Sequence, residues 1–315
     1  MELITSADVA AAEERLAGAA VRTTLVPCEW APGELWVKPE NLQPVGAFKI
    51  RGAGNALARL DPQRRRAGVI THSSGNHGQA LAYAARMHGV RCVVVVPEGA
   101  PRVKVAAMHG FGAETVSVEP VRRVEKAREL AEEQGLTLVP PFDHLDVIAG
   151  QGTVGSEIAA DLPGVETVLV PVGGGGLAAG VATAVKARCP QARVVGVEPE
   201  LAADAKQSLE RGRLTPWPAE RTQRTMADGV RVGPSELTFA HLRARLDGIV
   251  AVSEEEIFAA MGALALSARL VAEPSGAVAA AAHLAGRAPG GRTVAVVSGG
   301  NVVPDLLARA VTAEG

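Results

Sequence analysis

The chain has 315 residues, a formal net charge of -2 and 47% hydrophobic residues. That length exceeds one comfortable hydrophobic core and suits two domains, and the lack of a basic excess gives no reason to expect a nucleic acid or an anionic membrane as partner. Three cysteines, Cys28, Cys92 and Cys189, lie far apart without metal-ligand spacing, which fits a reducing, cytoplasmic compartment. Met1–Arg15 is acidic and has no apolar secretory core, and no apolar run reaches the ~18 residues of a membrane span.

In chain order, apolar β-branched runs predict strands at Gly68–His72, Val90–Pro97, Glu114–Val118, Val165–Val172, Ala192–Glu198, Gly248–Val252 and Arg292–Ser298. Ala-rich segments of helical period alternate with them at His77–His88, Val121–Gln134, Val147–Asp161, Leu177–Arg188, Glu254–Arg269 and Val302–Val311. The alternation predicts an α/β fold of two domains, with mostly parallel sheets flanked by helices on both faces. Leu209–Glu220, with Gly212, Pro216 and Pro218, is the longest irregular stretch and reads as a surface loop.

Glycine and polar residues collect at four strand ends: Ser73–Gly78, Gly173–Gly176, Glu198–Asp204 and Ser298–Asn301. Ligands of doubly wound sheets bind beyond such ends. At Val170-Pro-Val-Gly-Gly-Gly-Gly-Leu-Ala-Ala-Gly180 a strand meets four glycines and a helix. Helix-start N–H groups bind anions and glycine allows close approach, so this turn suits a phosphate; the bland alternative is a tightly packed strand–helix turn. It lacks the lysine of a nucleotide-triphosphate loop. Only Glu198 follows where a dinucleotide site needs an acid, which leaves an NAD-binding or non-catalytic α/β protein as the remote alternative.

At Thr71-His-Ser-Ser-Gly-Asn-His-Gly78 four polar side chains, Ser73, Ser74, Asn76 and His77, crowd a helix start. One would suffice for a cap, so the excess points to a binding site. Lys49, in Ala47-Phe-Lys-Ile-Arg51, reads by itself as an ordinary lysine; a Schiff-base role needs desolvation or nearby cations. Ser298, at a strand end, suits either a helix cap or a hydrogen bond to a ring nitrogen.

Together and in this order these motifs resemble the fold-type II pyridoxal-phosphate family, with the nearest likeness to serine racemase and the short threonine (serine) dehydratases. The likeness runs from about Val21 to Asn301 and includes Ile148-Ala-Gly-Gln-Gly-Thr153 and Ala227-Asp-Gly-Val230. It implies pyridoxal phosphate on Lys49, with Phe48 beside the ring, Asn76 at the phenolic oxygen, Gly173, Gly174, Gly175, Gly176 and Leu177 at the phosphate and Ser298 at the pyridine nitrogen. It implies catalysis by Lys49 and by Ser74 on the opposite face, and substrate binding by Ser73, Ser74, Gly75, Asn76 and His77. It also implies a divalent cation, Mg2+, Mn2+ or Ca2+, on Glu198, the carbonyl of Ala202 and Asp204, since hard oxygen ligands suit such ions.

The activity implied is β-elimination from a β-hydroxy amino acid such as threonine or serine, giving a 2-oxo acid and ammonia; racemisation of serine or aspartate is the alternative. Residues 68–144 would form a small mobile domain between the two parts, 1–67 and 145–315, of a larger one, in a homodimer. Val45-Gly-Ala47 stands where the family has a more polar stretch, so nucleotide activation is not expected and the substrate is open. With the chain ending at Gly315, no regulatory domain is expected.

Overall fold

A computed structural model describes residues 2–73, 75–100 and 102–313. Among the described residues ten strands form two sheets: β1 (Val26–Pro27), β2 (Leu35–Pro39), β3 (Val69–His72), β4 (Cys92–Pro97), β5 (Glu114–Val118), β6 (Thr137–Leu138), β7 (Thr167–Pro171), β8 (Arg193–Pro199), β9 (Gly248–Val252) and β10 (Thr293–Val297). The six-stranded sheet has the order β1-β2-β10-β7-β8-β9 and the four-stranded sheet β5-β4-β3-β6. All pairings are parallel except β1 with β2. The α/β architecture read from the alternation is therefore the one observed.

The central strands are apolar throughout because helices cover both faces. In β7 and β10 every residue is buried, as expected for parallel strands sandwiched between layers. The edge strand β5 is only partly covered. The helices are α1 (Ser6–Leu16), α2 (Lys49–Ala58), α3 (Pro62–Ala67), α4 (Asn76–Met87), α5 (Arg102–Gly110), α6 (Arg123–Gln134), α7 (Leu145–Asp161), α8 (Gly176–Arg188), α9 (Asp204–Arg211), α10 (Ala219–Thr222), α11 (Glu236–Arg245), α12 (Glu254–Ala263), α13 (Pro274–Leu284) and α14 (Pro304–Thr312). One face of the larger sheet carries α1, α7, α8 and α11, the other α12, α13 and α14.

Helices α7 and α8 touch through glycine. A Cβ on Gly180 would collide with the Ile148 carbonyl and lie 2.5 Å from Gly152 N, and one on Gly155 would lie 2.6 Å from the Val181 carbonyl oxygen. The glycines of Ile148–Thr153, singled out as a family motif, thus have a packing reason.

Several helices escaped the sequence reading. Apart from Ser275 and His283, α13 is apolar and nearly all buried, so it has no polar stripe to set a period, and α2 carries two glycines. The predicted helix Glu254–Arg269 stops at Ala263, continues as one π-helical turn, Leu264–Ala268, and ends with Arg269 at φ 61°. The loop at 209–220 is shorter than expected, because α9 runs to Arg211 before Gly212 caps it in the left-handed region.

Candidate active site

Strands β3, β7 and β10 all end at one cavity of about 590 Å³ that lies between the two sheets. Its lining includes Phe48, Lys49, Ser73, Gly75, Asn76, His77, Gly173–Gly176, Leu177 and Ser298, so these sequence candidates converge. Ser74 lies outside the described residues.

Lys49 opens α2, and the chain before it is stitched to the end of β10. The Phe48 N–H donates to the Ser298 carbonyl at 3.0 Å, and Ala47 bridges Gly299. Lys49 and Ser298 therefore share one wall. Lys49 Nζ donates to the Pro141 carbonyl at 2.8 Å and sits 5.0 Å from the centre of the Phe48 ring. Burial holds its pKa down to about 8, because desolvation penalises the ammonium. Ser298 Oγ reaches the Ser275 carbonyl at 3.3 Å.

Asn76 Nδ2 donates to Glu273 Oε1 at 2.6 Å, and its Oδ1 accepts from Asn301 Nδ2 at 2.8 Å. Asn301 in turn donates to the Val45 carbonyl at 2.9 Å. The amide is fixed in one orientation, with a second Nδ2–H left over. Burial, and then the nearby Asp228 charge, push the Glu273 carboxyl up to about 7. His77 is 2% exposed and its Nε2 lies 3.0 Å from the Val139 carbonyl. Burial and the Lys49 charge take its pKa to about 3, so the ring is neutral, Nε2 carries the proton and Nδ1 is a buried acceptor with no partner among the described residues.

The four glycines follow β7 and start α8. Gly175 has φ 82°; a Cβ on Gly173 would lie 2.7 Å from Val230 Cα, and one on Gly174 would enter the Phe142 ring. Tight packing, the bland alternative for this run, is therefore present as well. The tight packing and the free N–H groups of the first helical turn coexist here, because the glycines that admit Phe142 and Val230 also leave the amides open to the cavity.

A model of the family described as pyridoxal-phosphate dependent enzyme matches residues 16–299. The chain belongs to that family. It is 41% identical to the L-threonine ammonia-lyase of Thermotoga maritima, over 98% of this chain and 78% of that protein. Among solved structures it resembles the threonine deaminase of T.th., with 44% identity, a TM-score of 0.89 and coverage of 95% of this chain and 99% of that one. It also resembles maize serine racemase, with 33% identity, a TM-score of 0.93 and coverage of 98% and 97%.

The cavity suits the cofactor of a pyridoxal-phosphate dependent enzyme. It offers a desolvated amine for an aldehyde, a side-chain-free turn with helix-start amides for a phosphate, an oriented amide for a phenolic oxygen and a hydroxyl for a ring nitrogen. Further pyridoxal-phosphate enzyme residues lie here that sequence reasoning assigned no role: Glu273, Asn301, Ser275, Phe142 and Asp228. Glu273-Pro-Ser-Gly, with proline at the first helical position of α13, was a visible helix-start signal. Nothing local indicated that it faces Asn76.

The Glu198–Asp204 segment lies apart from this cavity's lining, at the end of β8. Glu198 accepts from the Ala205 and Lys206 N–H groups at 3.0 and 2.7 Å. Burial raises its carboxyl well above the ordinary range, with Asp204 adding to this, and burial raises Asp204 too. Among the described residues no three His, Cys, Asp or Glu side chains group as metal ligands. The donor set here is two buried, mutually repelling carboxylates and the carbonyl of the buried Ala202, which is hard oxygen chemistry compatible with a divalent cation.

Proposed function

We propose that this protein is a lyase that eliminates water and ammonia from a β-hydroxy amino acid such as threonine or serine, with its cofactor on Lys49. The observation that carries this is the meeting of Lys49, Asn76, the Gly173–Gly176 turn and Ser298 in one cavity. Bound pyridoxal phosphate supplies an electron sink for the bond-breaking at Cα. Lys49, displaced by the substrate amine, takes the α-proton; its desolvated amine is a competent base near neutral pH. Phe48 packs beside the ring, and Asn76 donates its remaining N–H to the phenolic oxygen. The amides of Gly173–Leu177 hold the phosphate, and Ser298 faces the pyridine nitrogen as a neutral partner, which suits elimination. The turn of Ser73, Ser74, Gly75, Asn76 and His77 receives the substrate carboxylate through its N–H groups, His77 by its backbone since its ring Nδ1 carries no proton. Loss of the β-hydroxyl as water, then hydrolysis, gives the 2-oxo acid and ammonia.

The nicotinamide alternative loses its basis, since the glycine turn shares its cavity with Lys49. Racemisation is kept as a second activity on the likeness in shape to maize serine racemase, with Ser74 as the base on the opposite face.

The same reading places Mg2+, Mn2+ or Ca2+ on Glu198, Ala202 and Asp204 in a supporting role outside the chemistry. It takes residues 68–144, built around the four-stranded sheet, as a unit that closes over substrate. It also takes the protein as a cytoplasmic homodimer. The dispersed free cysteines are in keeping with that compartment, and no described helix is long and apolar enough to cross a membrane. The exposed Leu42, Val271 and Val303, which flank the Asn41–Val271 hydrogen bond and Gly300, are the apolar surface offered for pairing.

The test is direct. Purified protein reconstituted with pyridoxal phosphate is expected to turn yellow and to release 2-oxo acid from L-threonine or L-serine. Lys49→Ala should lose both the covalent colour and turnover, whereas a Lys49→Ala protein that still turns over would refute the assignment. Loss of racemisation, but not of elimination, in Ser74→Ala is the outcome expected for the second base.

A further inference from the structure

Ile4 precedes α1 and is gripped on both sides by α11. Its N–H donates to His241 Nε2 at 3.0 Å, and its carbonyl accepts from Arg245 Nη2 at 2.6 Å. His241 and Arg245 stand four residues apart on α11, so they lie on one face of it. His241 is buried, and its Nδ1 lies 2.8 Å from the Leu237 carbonyl. With Nδ1–H donating there, Nε2 is left as the acceptor that the Ile4 N–H needs. Burial lowers the pKa of the ring, and the Arg245 charge adds to this, which favours the neutral form. The grip closes a ring of helices around α8, the helix that begins at the glycine turn. On one flank α7 packs on α8 and α1 packs on α7, with Val9 of α1 2.6 Å from where a Cβ on Gly152 would stand. On the other flank α11 packs on α8. Thr238 and Leu242, which bracket His241, lie 3.0 and 3.3 Å from the place that a Cβ on Gly175 would take. Ile4 is where the α1 side of this ring meets the α11 side.

We propose that His241 is a positioning residue for the cofactor phosphate: by holding Ile4 it clamps α11 against Gly175 and so fixes the amides of Gly173–Leu177. The inference rests on the function proposed above, which puts the phosphate at that turn. Gly175 has no side chain and a left-handed φ of 82°, so the turn has little of its own to resist a shift, and Thr238 and Leu242 supply the wall behind it. Hydrogen bonds from amides to a phosphate are charge-assisted and directional, and a site loses function when the residues supporting it let it drift. His241 is absent from the lining of the cavity. Its effect therefore falls on phosphate binding and spares the aldehyde's attachment to Lys49.

The full-length protein, freed of cofactor, is titrated with pyridoxal phosphate and with pyridoxal, which keeps the aldehyde and lacks the phosphate, and visible absorbance reads both. His241→Leu keeps bulk and removes the acceptor. It is expected to weaken pyridoxal phosphate by about fivefold or more, the loss that goes with one hydrogen bond, and pyridoxal by less than about twofold. His241→Gln, whose amide offers an acceptor and a donor, should restore most of the preference for the phosphorylated aldehyde. Ile4→Pro deletes the same bond from its other side and should shift the same ratio, and the double variant should lose no more than either single one. Equal weakening of both aldehydes in His241→Leu overturns the proposal, since His241 would then support the fold alone. An unchanged ratio in Ile4→Pro overturns it as well, and that variant reads the bond even where His241→Leu does not fold. Wild-type protein that colours with neither aldehyde is a different failure, that of the cofactor's place on Lys49, and it takes this inference with it.

Discussion

Asn76 and Glu273 are joined by a 2.6 Å hydrogen bond across 197 residues of sequence, tying the start of α4 to the start of α13. The bond bridges the strand end of the smaller sheet and the helix that lies under the larger one. It also sets the Asn76 amide with one N–H engaged by Glu273 and the other available to the cavity.

Glu273→Gln keeps an acceptor for Asn76 and removes a buried charge. The folded-state pKa, about 7, lies above the ordinary 4.5, so the folded protein holds the proton more tightly than the unfolded chain. This group's contribution to stability therefore falls as pH rises from 4.5 to 7 and is level above that. The variant is expected to gain on the wild type by up to roughly 3 kcal/mol between pH 4.5 and pH 8. Urea unfolding of both proteins at several pH values reads this; a stability difference that does not vary with pH would contradict the assigned charge.

Arg51 holds together a buried ion network beneath the Lys49 helix. It bonds Glu40 at 2.7 and 2.8 Å and Glu157 at 2.7 and 2.9 Å, while Lys38 meets Glu157 at 2.5 Å. Burial pushes the Glu40 carboxyl up, but Arg51 outweighs this and keeps it below its ordinary range. Glu40 therefore contributes stability above its unfolded pKa that is lost as pH falls through the lower folded value. Arg51→Met leaves two carboxylates buried with one cation and should lower stability by about 3–5 kcal/mol. Chemical denaturation near pH 7 is the measurement, and a loss under about 1 kcal/mol, the range of exposed pairs, would show that the network is solvated.

Gly180→Ala would set a methyl against the Ile148 carbonyl and Gly152 N on α7. Both obstacles are backbone, so the helices must separate. A loss of about 1–3 kcal/mol in stability is expected, as for other overpacked sites. Gly212→Ala, whose Cβ meets nothing within 4 Å but whose φ is +65°, is the control for backbone strain alone, and the control should be the milder change by thermal denaturation.

Chelation probes Glu198 and Asp204. A cation there would relieve two desolvated carboxylates, so EDTA treatment should lower the melting temperature, and Mg2+, Mn2+ or Ca2+ should restore it. Asp204→Asn should abolish that response. A melting curve indifferent to EDTA and to added cation would remove the metal from this segment.

The turns were legible because their demands are local. A left-handed backbone at Gly175 and a crowd of polar side chains at Ser73–His77 each show in a few consecutive residues. Buried parallel strands were legible for the same reason, since both faces need apolar side chains. Helices covered on every side, such as α13, were not, because burial erases the polar stripe that marks a period.

The sequence by itself determined which residues are chemically equipped: Lys49, Asn76, the four glycines, Ser298 and the acids of Glu198–Asp204. Only the tertiary structure decided which of them meet. It placed Glu273 behind Asn76, and it turned Arg123 into the cavity while its neighbour Arg122 pairs with acids in solvent. Adjacent arginines are indistinguishable as letters. Their surroundings are set by helix orientation and by strands far away in the chain, and it is the surroundings that make one a solvated charge and the other part of the cavity wall.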